Sequence, residues 1–391
     1  MKAFNGTLSG YGTTVFEVMS RLAIEHETIN LGQGFPDEEG PQTLLAALDD
    51  ATRRFPNQYP PMMGVPELRR AVSDHDRRFY DLETDWQREV MVCSGATEAL
   101  AASILALVEP GDDVVLFEPL YDSYLPMVRR AGANPRLVRL EPPDWRIPWD
   151  ALEAAFTDNT KLILFNTPMN PTGKVFTRDE LSALGALLEK HDCYAICDEV
   201  YEHLVFDQRD HVPLITMPGM RERCIRIASA GKTFSMTGWK VGYVTASPEL
   251  IAIIAKAHQF LVFTTPPNLQ RAVAHGLDHE EAWYTRLAGT LQAKRDYLQR
   301  ELGNVGFEVL PCDSTYFMNA DFRPLGFEGS DVEFCRYLTL EAGVTVVPVS
   351  ALYATDDIDH LVRFCFCKRD EVLSAAVARL SEHFVKSTAG G

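Results

Sequence analysis

Short runs of apolar residues alternate with longer helical patterns through the middle of the chain. The seven runs that have the length and hydrophobicity of buried strands are 90–93, 114–117, 137–140, 162–165, 194–197, 225–228 and 241–245. Helical patterns lie between several of them, notably over 97–108 and over 177–190, where Thr177 and Glu180 have the spacing of a capping box. Near-continuous apolar strands that alternate with helices predict an α/β domain with a mostly parallel, seven-stranded sheet flanked by helices. Because ligands of such folds bind beyond the carboxyl ends of the strands, the residues after each strand are the first candidates for chemistry.

The pattern changes after about residue 250. Helices are predicted from Pro248, over 280–302 and over 370–383. The shorter strand-like runs between the last two are 308–310, 315–319, 345–348 and 361–365. This mixture predicts a smaller α+β domain that follows the α/β domain.

The composition, with 46% apolar and 24% charged residues, is that of a soluble globular protein. No run is apolar enough to span a bilayer, and residues 1–10 contain no apolar signal core, so we expect neither a membrane protein nor a secreted one. The formal charge of −18 argues against binding to nucleic acid or to an anionic membrane surface, because both select basic faces.

The eight cysteines include no CxxC pair, and several lie inside strand-like runs, as the buried free thiols of a reducing compartment do. We therefore expect a cytoplasmic location. The ten histidines show no metal-ligand spacing, so no metal site is expected.

The segment 229–243 carries the strongest chemical signal and reads Ser-Ala-Gly-Lys-Thr-Phe-Ser-Met-Thr-Gly-Trp-Lys-Val-Gly-Tyr. Lys232 lies on a turn of small and hydroxyl residues between two apolar strands, and Lys240 adds a second cation. A lysine amine becomes nucleophilic when burial or neighbouring cations lower its pKa, and small neighbours let a flat cofactor approach. Because a lone lysine in such a loop is usually a solvated surface residue, the interpretation depends on the other strand ends.

Residues suited to a phosphate and to an aromatic ring follow two earlier strands. The strand at 90–93 is followed by Ser94-Gly95-Ala96-Thr97, which opens a helix with small residues. The free N–H groups and the dipole of such a helix end can bind a phosphate. The next strand is followed by Tyr121, which is equally consistent with a ring lying against a cofactor and with a core tyrosine.

An amide and a carboxylate follow two further strands. Proline and glycine in the segment 167–173 make a rigid turn that presents the Asn170 amide, which suits a phenolic ring oxygen. Asp198 closes an apolar strand, where a carboxylate is costly unless it is paired with a cation such as a protonated pyridinium nitrogen. The period-two alternation of the strand turns Glu199 the other way, and Tyr201 can reach the same ring oxygen as Asn170.

In order and approximate spacing these segments resemble the fold-type-I, pyridoxal-phosphate-dependent class I and II aminotransferases, over nearly the whole chain. The resemblance is greatest to the branch that contains the kynurenine aminotransferases and a bacterial methionine aminotransferase. The motifs that carry it are Leu31-Gly32-Gln33-Gly34-Phe35-Pro36-Asp37, Asn57-Gln58-Tyr59, Asp198-Glu199-Val200-Tyr201 and Ser229-Ala230-Gly231-Lys232-Thr233-Phe234-Ser235. We accordingly expect an N-terminal arm with part of the small domain at 1–43, a large cofactor-binding domain at 44–279 and a C-terminal small domain at 280–391.

The resemblance implies roles for individual residues. Lys232 would hold pyridoxal 5'-phosphate and be the catalytic residue. The residues expected to bind the cofactor are Ala96, Thr97, Tyr121, Asn170, Asp198, Tyr201, Ser229, Lys232, Lys240 and Tyr59. Tyr59 would reach the phosphate of the neighbouring subunit, which requires a homodimer with shared active sites. Many relatives have an arginine where this chain has Lys240, although the kynurenine branch also uses lysine.

The resemblance also implies how a substrate carboxylate is bound. Gly34 would offer its backbone N–H, Asn170 would lie beside it, and Arg363 would clamp the α-carboxylate through a bidentate fork. A strand-borne arginine can also be a surface residue, but the apolar neighbours of Arg363 argue against free exposure.

The implied activity is transfer of the α-amino group of an L-amino acid to a 2-oxo acid, in a ping-pong reaction through pyridoxamine phosphate. Elimination from a substrate with a leaving group at Cβ, as in a cysteine-conjugate β-lyase, fits the same residues. A pyridoxal-dependent synthase or decarboxylase ranks lower, because the motifs match aminotransferases best. A DNA-binding regulator of this fold is not expected, because the first motif begins at Leu31 and the charge is acidic.

The side-chain pocket is expected to include residues 11–16, Phe35 and the segment 260–265 of the partner subunit. These residues are aromatic and apolar, with no evident arginine to bind a second carboxylate. That composition favours methionine, glutamine, aromatic amino acids or kynurenine over aspartate.

Overall fold

The computed structural model describes residues 2–355 and 358–388. The first residue of the expected N-terminal arm and the last three of the expected C-terminal domain, Met1 and 389–391, lie outside the described residues. The helices are α1 (Val15–Glu25), α2 (Gln42–Arg54), α3 (Pro66–Tyr80), α4 (Gly95–Leu107), α5 (Tyr124–Arg130), α6 (Trp149–Ala155), α7 (Arg178–Lys190), α8 (Ala230–Thr233), α9 (Pro248–Leu261), α10 (Pro267–His279), α11 (Glu281–Val305), α12 (Asp331–Glu341) and α13 (Asp370–Thr388). The strands are β1 (Ile29–Asn30), β2 (Val90–Cys93), β3 (Asp113–Glu118), β4 (Asn134–Arg139), β5 (Thr160–Asn166), β6 (Tyr194–Asp198), β7 (Cys224–Ser229), β8 (Gly242–Thr245), β9 (Glu308–Val309), β10 (Phe317–Asp321), β11 (Val344–Thr345), β12 (Val347–Pro348) and β13 (Leu361–Cys365).

Seven strands form the main sheet in the order β2-β8-β7-β6-β5-β3-β4. Strand β8 is antiparallel to both of its neighbours, and the other neighbouring pairs are parallel. The expected fold class, an α/β fold with a mostly parallel seven-stranded sheet, is therefore confirmed. The carboxyl ends of β2, β3, β5, β6 and β7 meet at one edge of this sheet. The amino end of β8 joins them there, because Gly242 pairs with both Cys93 and Ser229.

The central strands are buried on both faces, which explains their near-continuous hydrophobicity. Along β5, Leu162 and Leu164 pack into the apolar cluster that includes Leu100 of α4 and Ile254 of α9. The intervening residues of β5 pack on the other face with Leu184 of α7. Helix α7 begins at the predicted capping box, in which the Thr177 hydroxyl accepts from the Glu180 N–H and the Glu180 carboxylate accepts from the Thr177 N–H.

The smaller part of the fold is built on an antiparallel four-stranded sheet in the order β12-β13-β10-β9. Strand β13 pairs with β10 in a register that places Arg363 opposite Asn319. One apolar cluster runs from this sheet to α8, since it contains both Phe317 and Ala230. Among the described helices, none combines the length and apolarity needed to cross a bilayer.

Two local predictions are wrong. Residues 345–348 do not form one strand, because β11 pairs with β1 in a separate two-stranded sheet while β12 pairs with β13. Helix α10 was not predicted between the helix that begins at Pro248 and the long helix α11. It begins at Pro267, directly after Pro266, where the sequence favours a break before a new helix start.

Candidate active site

A cavity of about 210 Å³ lies at the edge of the main sheet where the strand ends meet. Its lining is Gly95, Ala96, Thr97, Leu100, Tyr121, Tyr124, Asn166, Asn170, Asp198, Val200, Tyr201, Ser229, Gly231, Lys232, Thr237 and Lys240. Residues that are far apart in sequence are neighbours here because the strands run in the same direction. The cavity thus contains every residue expected to bind the cofactor except Tyr59.

Lys232 lies on the short helix α8, directly after β7. Its Nζ donates a hydrogen bond to Tyr316 Oη, 2.7 Å away, and lies 5.5 Å from the centre of the Tyr201 ring. Burial lowers the pKa of the Lys232 ammonium, and the nearby Cys367, Cys365 and Asp198 oppose that effect. A lowered pKa gives an amine that is more readily available as a nucleophile and as a base.

Asp198 ends β6 at the base of the cavity and is 5% exposed. Its carboxylate accepts a hydrogen bond from Tyr124 Oη at 2.7 Å, and its carbonyl is held by the Asn166 side chain at 2.7 Å. Burial raises the pKa of Asp198 to about 6, against the opposing effects of Tyr124, the Val200 N–H and Lys232. No cation lies within 4 Å of this carboxylate among the described residues, so it is suited to a positively charged ring nitrogen.

Glu199 faces away from the cavity, as the strand alternation predicts. Its Oε2 accepts from Arg226 Nε at 2.7 Å on β7 and lies 3.1 Å from His211 Nε2. Glu199 is therefore committed to a structural ion pair behind the sheet edge.

Arg363 on β13 is 2% exposed, so the alternative of a surface arginine is wrong. Its Nη1 donates to Asn170 Oδ1 at 3.0 Å and its Nη2 donates to the Gly32 carbonyl at 2.9 Å. The buried Nε has no hydrogen-bond partner, and within the described part of the chain no carboxylate forms an ion pair with this guanidinium. A buried cation without an anion is suited to a substrate carboxylate.

The opposite end of the cavity is suited to a phosphate. Helix α4 begins at Gly95, where φ is +77°, and the residues of its first turn, 95–97, line the cavity. A Cβ at Gly95 would lie 3.4 Å from Lys240 Nζ, so this ammonium is close to the helix start. Ser229 lines the same end. A helix N-terminus, a hydroxyl and an ammonium are the donors that bind a phosphate in proteins.

Gly34 lies beside the cavity, on the segment that joins β1 to α2. Its carbonyl accepts from Tyr316 Oη at 2.9 Å, so Tyr316 connects it to Lys232. A Cβ at Gly34 would lie 2.5 Å from the Phe317 ring, which means that only glycine lets this segment lie against the ring. Gly34 and Arg363 also line an adjoining cavity of about 510 Å³, which Lys232 lines as well.

Tyr59 does not line either cavity. Its side chain is 84% exposed and makes an edge contact with the Phe263 ring, with ring centres 5.5 Å apart. The expectation that it serves a neighbouring subunit therefore stays a prediction.

Two residues of the site were not predicted from the sequence: Tyr124, which bonds to Asp198, and Tyr316, which bonds to Lys232. Tyr124 could have been found, because it follows the strand end that supplies Tyr121 and lies at the start of α5. Tyr316 could not have been found from local pattern, because it directly precedes β10 of the smaller sheet, far along the chain from Lys232.

The expected side-chain pocket stays a prediction, but one cavity beside the residues named for it contains an arginine. A cavity of about 460 Å³ is lined by residues 11–16, Tyr121 and Asp122, and also by Leu125 and Arg129 of α5. These two α5 residues are four positions apart and so share one helix face. Arg129 is exposed, and its Nη1 donates to Tyr11 Oη at 3.1 Å.

The cavity and its side chains fit pyridoxal phosphate in chemical type at every position. The buried Asp198 carboxylate, the Asn170 amide and the Tyr201 phenol line the cavity together with Lys232. The start of α4 and the Lys240 ammonium lie at the end that is suited to a phosphate. The donor set agrees with the cofactor that the sequence motifs imply.

Comparisons with known proteins also point to the aminotransferases. The family model described as aminotransferase class I and II matches residues 26–380. The methionine aminotransferase of Escherichia coli is 41% identical over 95% of this chain and 96% of its own length. Kynurenine–oxoglutarate transaminase 3 of Mus musculus is 38% identical over 94% of this chain and 88% of its own length. The solved structure of the N-succinyldiaminopimelate aminotransferase of Mycobacterium tuberculosis is 46% identical, covers 97% of this chain and 100% of its own, and has a TM-score of 0.95. The relatives include both kinds of protein that the motifs indicated.

Proposed function

We propose a function for this chain, which belongs to the class I and II aminotransferases and depends on pyridoxal phosphate. It transfers the α-amino group of an L-amino acid to a 2-oxo acid in two half-reactions at one site. The observation that carries the proposal is the placement of Lys232 between a buried carboxylate and a buried arginine. Asp198 lies on the cofactor side of this lysine and Arg363 on the substrate side. A site of this kind can bind a cofactor and a carboxylate substrate on the two sides of one amine.

The residues that line the first cavity would hold the cofactor. Asp198 would pair with the ring nitrogen, and Asn170 and Tyr201 would donate to the ring oxygen. The first turn of α4, with Ala96 and Thr97, would bind the phosphate together with Ser229 and Lys240. Tyr121 would lie against the ring. When bound, pyridoxal phosphate supplies the carbonyl carbon that takes the amino group and a ring that accepts negative charge from the substrate Cα.

Lys232 has the contacts of a residue that moves protons. When free of the cofactor, its amine would be placed to take the proton from the substrate Cα and to return it at the cofactor carbon that takes the amino group, because burial lowers its pKa. Tyr316 holds the Lys232 Nζ at 2.7 Å and so positions it between the two cavities. Asp198 would stabilise a protonated ring nitrogen during both half-reactions, since none of the described residues forms an ion pair with its carboxylate.

Arg363 would orient the substrate. Its two terminal nitrogens already point along fixed hydrogen bonds to Asn170 and to Gly32, so a carboxylate that binds the fork needs little reorganisation. The centre of the Phe317 ring lies 4.0 Å from the guanidinium carbon of Arg363. The ring excludes water from one face of the guanidinium and so would strengthen its ion pair with a substrate carboxylate. This orientation would point the Cα–H bond towards Lys232.

We propose methionine, glutamine, an aromatic amino acid or kynurenine as the donor. Phe16, Phe35 and Tyr121 line the substrate side and give it an aromatic surface. Relatives named as methionine and kynurenine aminotransferases support the same choice.

A second donor class is supported by Arg129. A long side chain that ends in a carboxylate, as in N-succinyldiaminopimelate, could extend through the 460 Å³ cavity towards this arginine. The named activity of the M. tuberculosis relative supports this candidate. Arg129→Met should then raise the KM for N-succinyldiaminopimelate and leave the KM for methionine unchanged, whereas an equal effect on both would count against it.

Elimination at Cβ remains an alternative outcome at the same site. Release of pyruvate and ammonia from a cysteine conjugate, without any 2-oxo acid acceptor, would identify it.

The test of the proposed function is an absorption spectrum of the purified protein with pyridoxal phosphate, before and after addition of single amino acids. Methionine or phenylalanine should convert the bound cofactor to its amino form, and a 2-oxo acid should restore the first spectrum. Aspartate should have little effect. A cofactor that binds but responds to no amino acid would overturn the reaction while leaving the cofactor site intact.

A further inference from the structure

Two thiols lie side by side behind the active-site lysine. Cys365 is the last residue of β13, and Cys367 follows two positions later. Their Sγ atoms are 3.2 Å apart and both residues are buried. Cys197 of β6 and Cys224 of β7 also form a hydrogen-bonded pair, but Cys365 and Cys367 are the pair that lies beside Lys232.

We propose that Cys365 and Cys367 form a reversible disulfide when the protein meets hydrogen peroxide or another small hydroperoxide, and that this oxidation alters the substrate side of the active site. Residues two positions apart in an extended strand have Cα atoms ~6.6 Å apart, from a rise of 3.3 Å per residue, which is within the range that disulfides span. Closing the bond requires the sulfur atoms to approach by about 1 Å, to the usual length near 2 Å.

The two thiols share one hydrogen bond, and this makes the first proton of the pair easier to lose than the second. Burial raises the pKa of Cys365, but the hydrogen bond with Cys367 and the charges of Lys368 and Arg363 outweigh burial and lower the pKa. Burial, with the hydrogen bond to Cys365, raises the pKa of Cys367 well above its ordinary value. The pair therefore offers one thiolate that attacks and one protonated neighbour 3.2 Å away that resolves.

The reaction balances with the peroxide as the only oxidant. The thiolate sulfur of the pair attacks one peroxide oxygen, the S–O bond forms, the O–O bond breaks, and the leaving hydroxide takes up the proton that was lost when the thiolate formed, giving water. The attacking cysteine is then a sulfenic acid. The Sγ of the other cysteine attacks this sulfur, the S–S bond forms, and the S–O bond breaks, with the sulfenic hydroxyl and the thiol proton leaving as a second water. Two thiols are oxidised by two electrons in total, and one peroxide is reduced.

Access to the pair selects a small oxidant. Cys367 lines a narrow cavity of about 10 Å³ beside Lys232, Tyr316 and Pro36. A volume of this size holds about one water-sized molecule. Hydrogen peroxide is only slightly larger than water, whereas disulfide reagents such as oxidised glutathione are much larger.

The consequence for the active site follows from the backbone of the pair. The Cys365 N–H donates to the Leu31 carbonyl at 2.7 Å, and the Cys367 carbonyl accepts from the Asp37 N–H at 3.2 Å. The segment that carries Gly34 is thus attached at both ends to the two cysteines. Drawing the cysteines together shifts this segment relative to Arg363, which precedes the pair on β13. Given the proposed function, we expect a higher KM for the amino donor in the oxidised enzyme, reversed by dithiothreitol.

The experiment treats the holoenzyme with hydrogen peroxide, denatures it, alkylates the remaining thiols and analyses the peptides by mass spectrometry. The peptide that spans 365–367 should lose the mass of two hydrogens and escape alkylation, and dithiothreitol should restore both thiols. This readout is independent of transamination, so it separates failure of the inference from failure of the proposed function. Full alkylation of both cysteines, or oxidation of either one to a sulfinic acid without an S–S bond, would overturn the proposal.

Two variants sharpen the test. Cys367→Ser should stop the reaction at the sulfenic acid of Cys365, which dimedone traps, and peroxide should no longer produce the disulfide. Cys335→Ser is the matched control, because Cys335 is a buried thiol on α12 without a thiol neighbour, and it should keep the disulfide at the wild-type rate. Trapping of dimedone at every cysteine alike would show that the pair has no special reactivity.

Discussion

At the scale of single residues, the buried carboxylate of Asp198 lowers the free energy of unfolding of the cofactor-free protein, because none of the described residues forms an ion pair with it. Burial raises the pKa of Asp198 from its ordinary 3.8 to about 6. A shift of this size corresponds to about 3 kcal/mol against the ionised form. We expect Asp198→Asn to raise the free energy of unfolding of the apoprotein by about 2 kcal/mol at neutral pH and to abolish transamination. Urea unfolding followed by circular dichroism measures the first effect.

The sign of this effect depends on pH. A carboxyl whose pKa is raised by folding destabilises the native state only where it is ionised, so the gain from asparagine is complete above the folded pKa of about 6. It should disappear as the pH falls through the unfolded value near 4. Asp158→Asn, at an exposed carboxyl, is the control and should change stability little at either pH. A gain that persists at acidic pH would show that burial of this charge is not its cause.

Removal of the lysine amine is a second test at the residue scale. Lys232→Ala should bind pyridoxal phosphate without a covalent bond and lose all measurable transamination. Among the described lining residues the other lysine is Lys240, which lies at the expected phosphate end and not beside Arg363. Coupled assay of the 2-oxo acid product measures the loss. Lys256→Ala, an exposed lysine on α9, should keep full activity. Comparable activity in the two variants would reject Lys232 as the catalytic residue.

At the scale of elements, one arginine joins β7 to the helix behind it and to the segment after β6. Arg226 is 1% exposed and donates to Asp76 Oδ1 at 2.7 Å, to Glu199 Oε2 at 2.7 Å and to Glu202. Burial alone would raise the pKa of Glu202, but the charge of Arg226 is the largest opposing effect and the pKa falls to about 2. The network therefore fixes the strand ends that carry Lys232 and Asp198.

Arg226→Met should destabilise the protein by about 3–5 kcal/mol, because three buried carboxylates lose their shared cation. Thermal unfolding measures the change. Arg223→Met is the matched control just before β7, since Arg223 pairs with the exposed Asp192 and should cost less than about 1 kcal/mol. Equal losses in the two variants would mean that the buried network contributes no more than a surface ion pair.

The elements also show why some of the site could be predicted from sequence and some could not. Asn170, Asp198 and Lys232 follow apolar runs, and a parallel sheet brings the ends of such runs together, so their order in the chain was enough to group them. Tyr316 reaches Lys232 from the smaller sheet, and nothing in its local sequence specifies the packing of one sheet against another. Arg129 was missed because its role depends on which face of the short helix α5 is turned to the N-terminal segment.

At the scale of the whole molecule, Tyr59 and the segment 260–263 expose large apolar side chains next to each other. Tyr59, Phe260 and Phe263 are 84%, 84% and 41% exposed, although large apolar side chains are usually covered in a soluble protein. Tyr59 and Phe263 contact each other at the ring edge, so they form one surface with Phe260 nearby in sequence. We propose that a second copy of the chain covers this surface, as the expected homodimer requires.

Subunit mixing tests whether the active sites are shared. Tyr59→Ala and Lys232→Ala should each lower activity as separate homodimers, the first by weakening cofactor binding and the second by removing the catalytic amine. In a hybrid dimer, the subunit with an intact Lys232 would receive an intact Tyr59 from its partner, so one of the two sites is complete. Unfolding and refolding equal amounts of the two variants together should restore about a quarter of wild-type activity, since half of the randomly formed dimers are hybrids with one working site. Recovery no greater than the sum of the separate variants would place Tyr59 and Lys232 in sites that one chain completes alone, and the proposed exchange between subunits would be wrong.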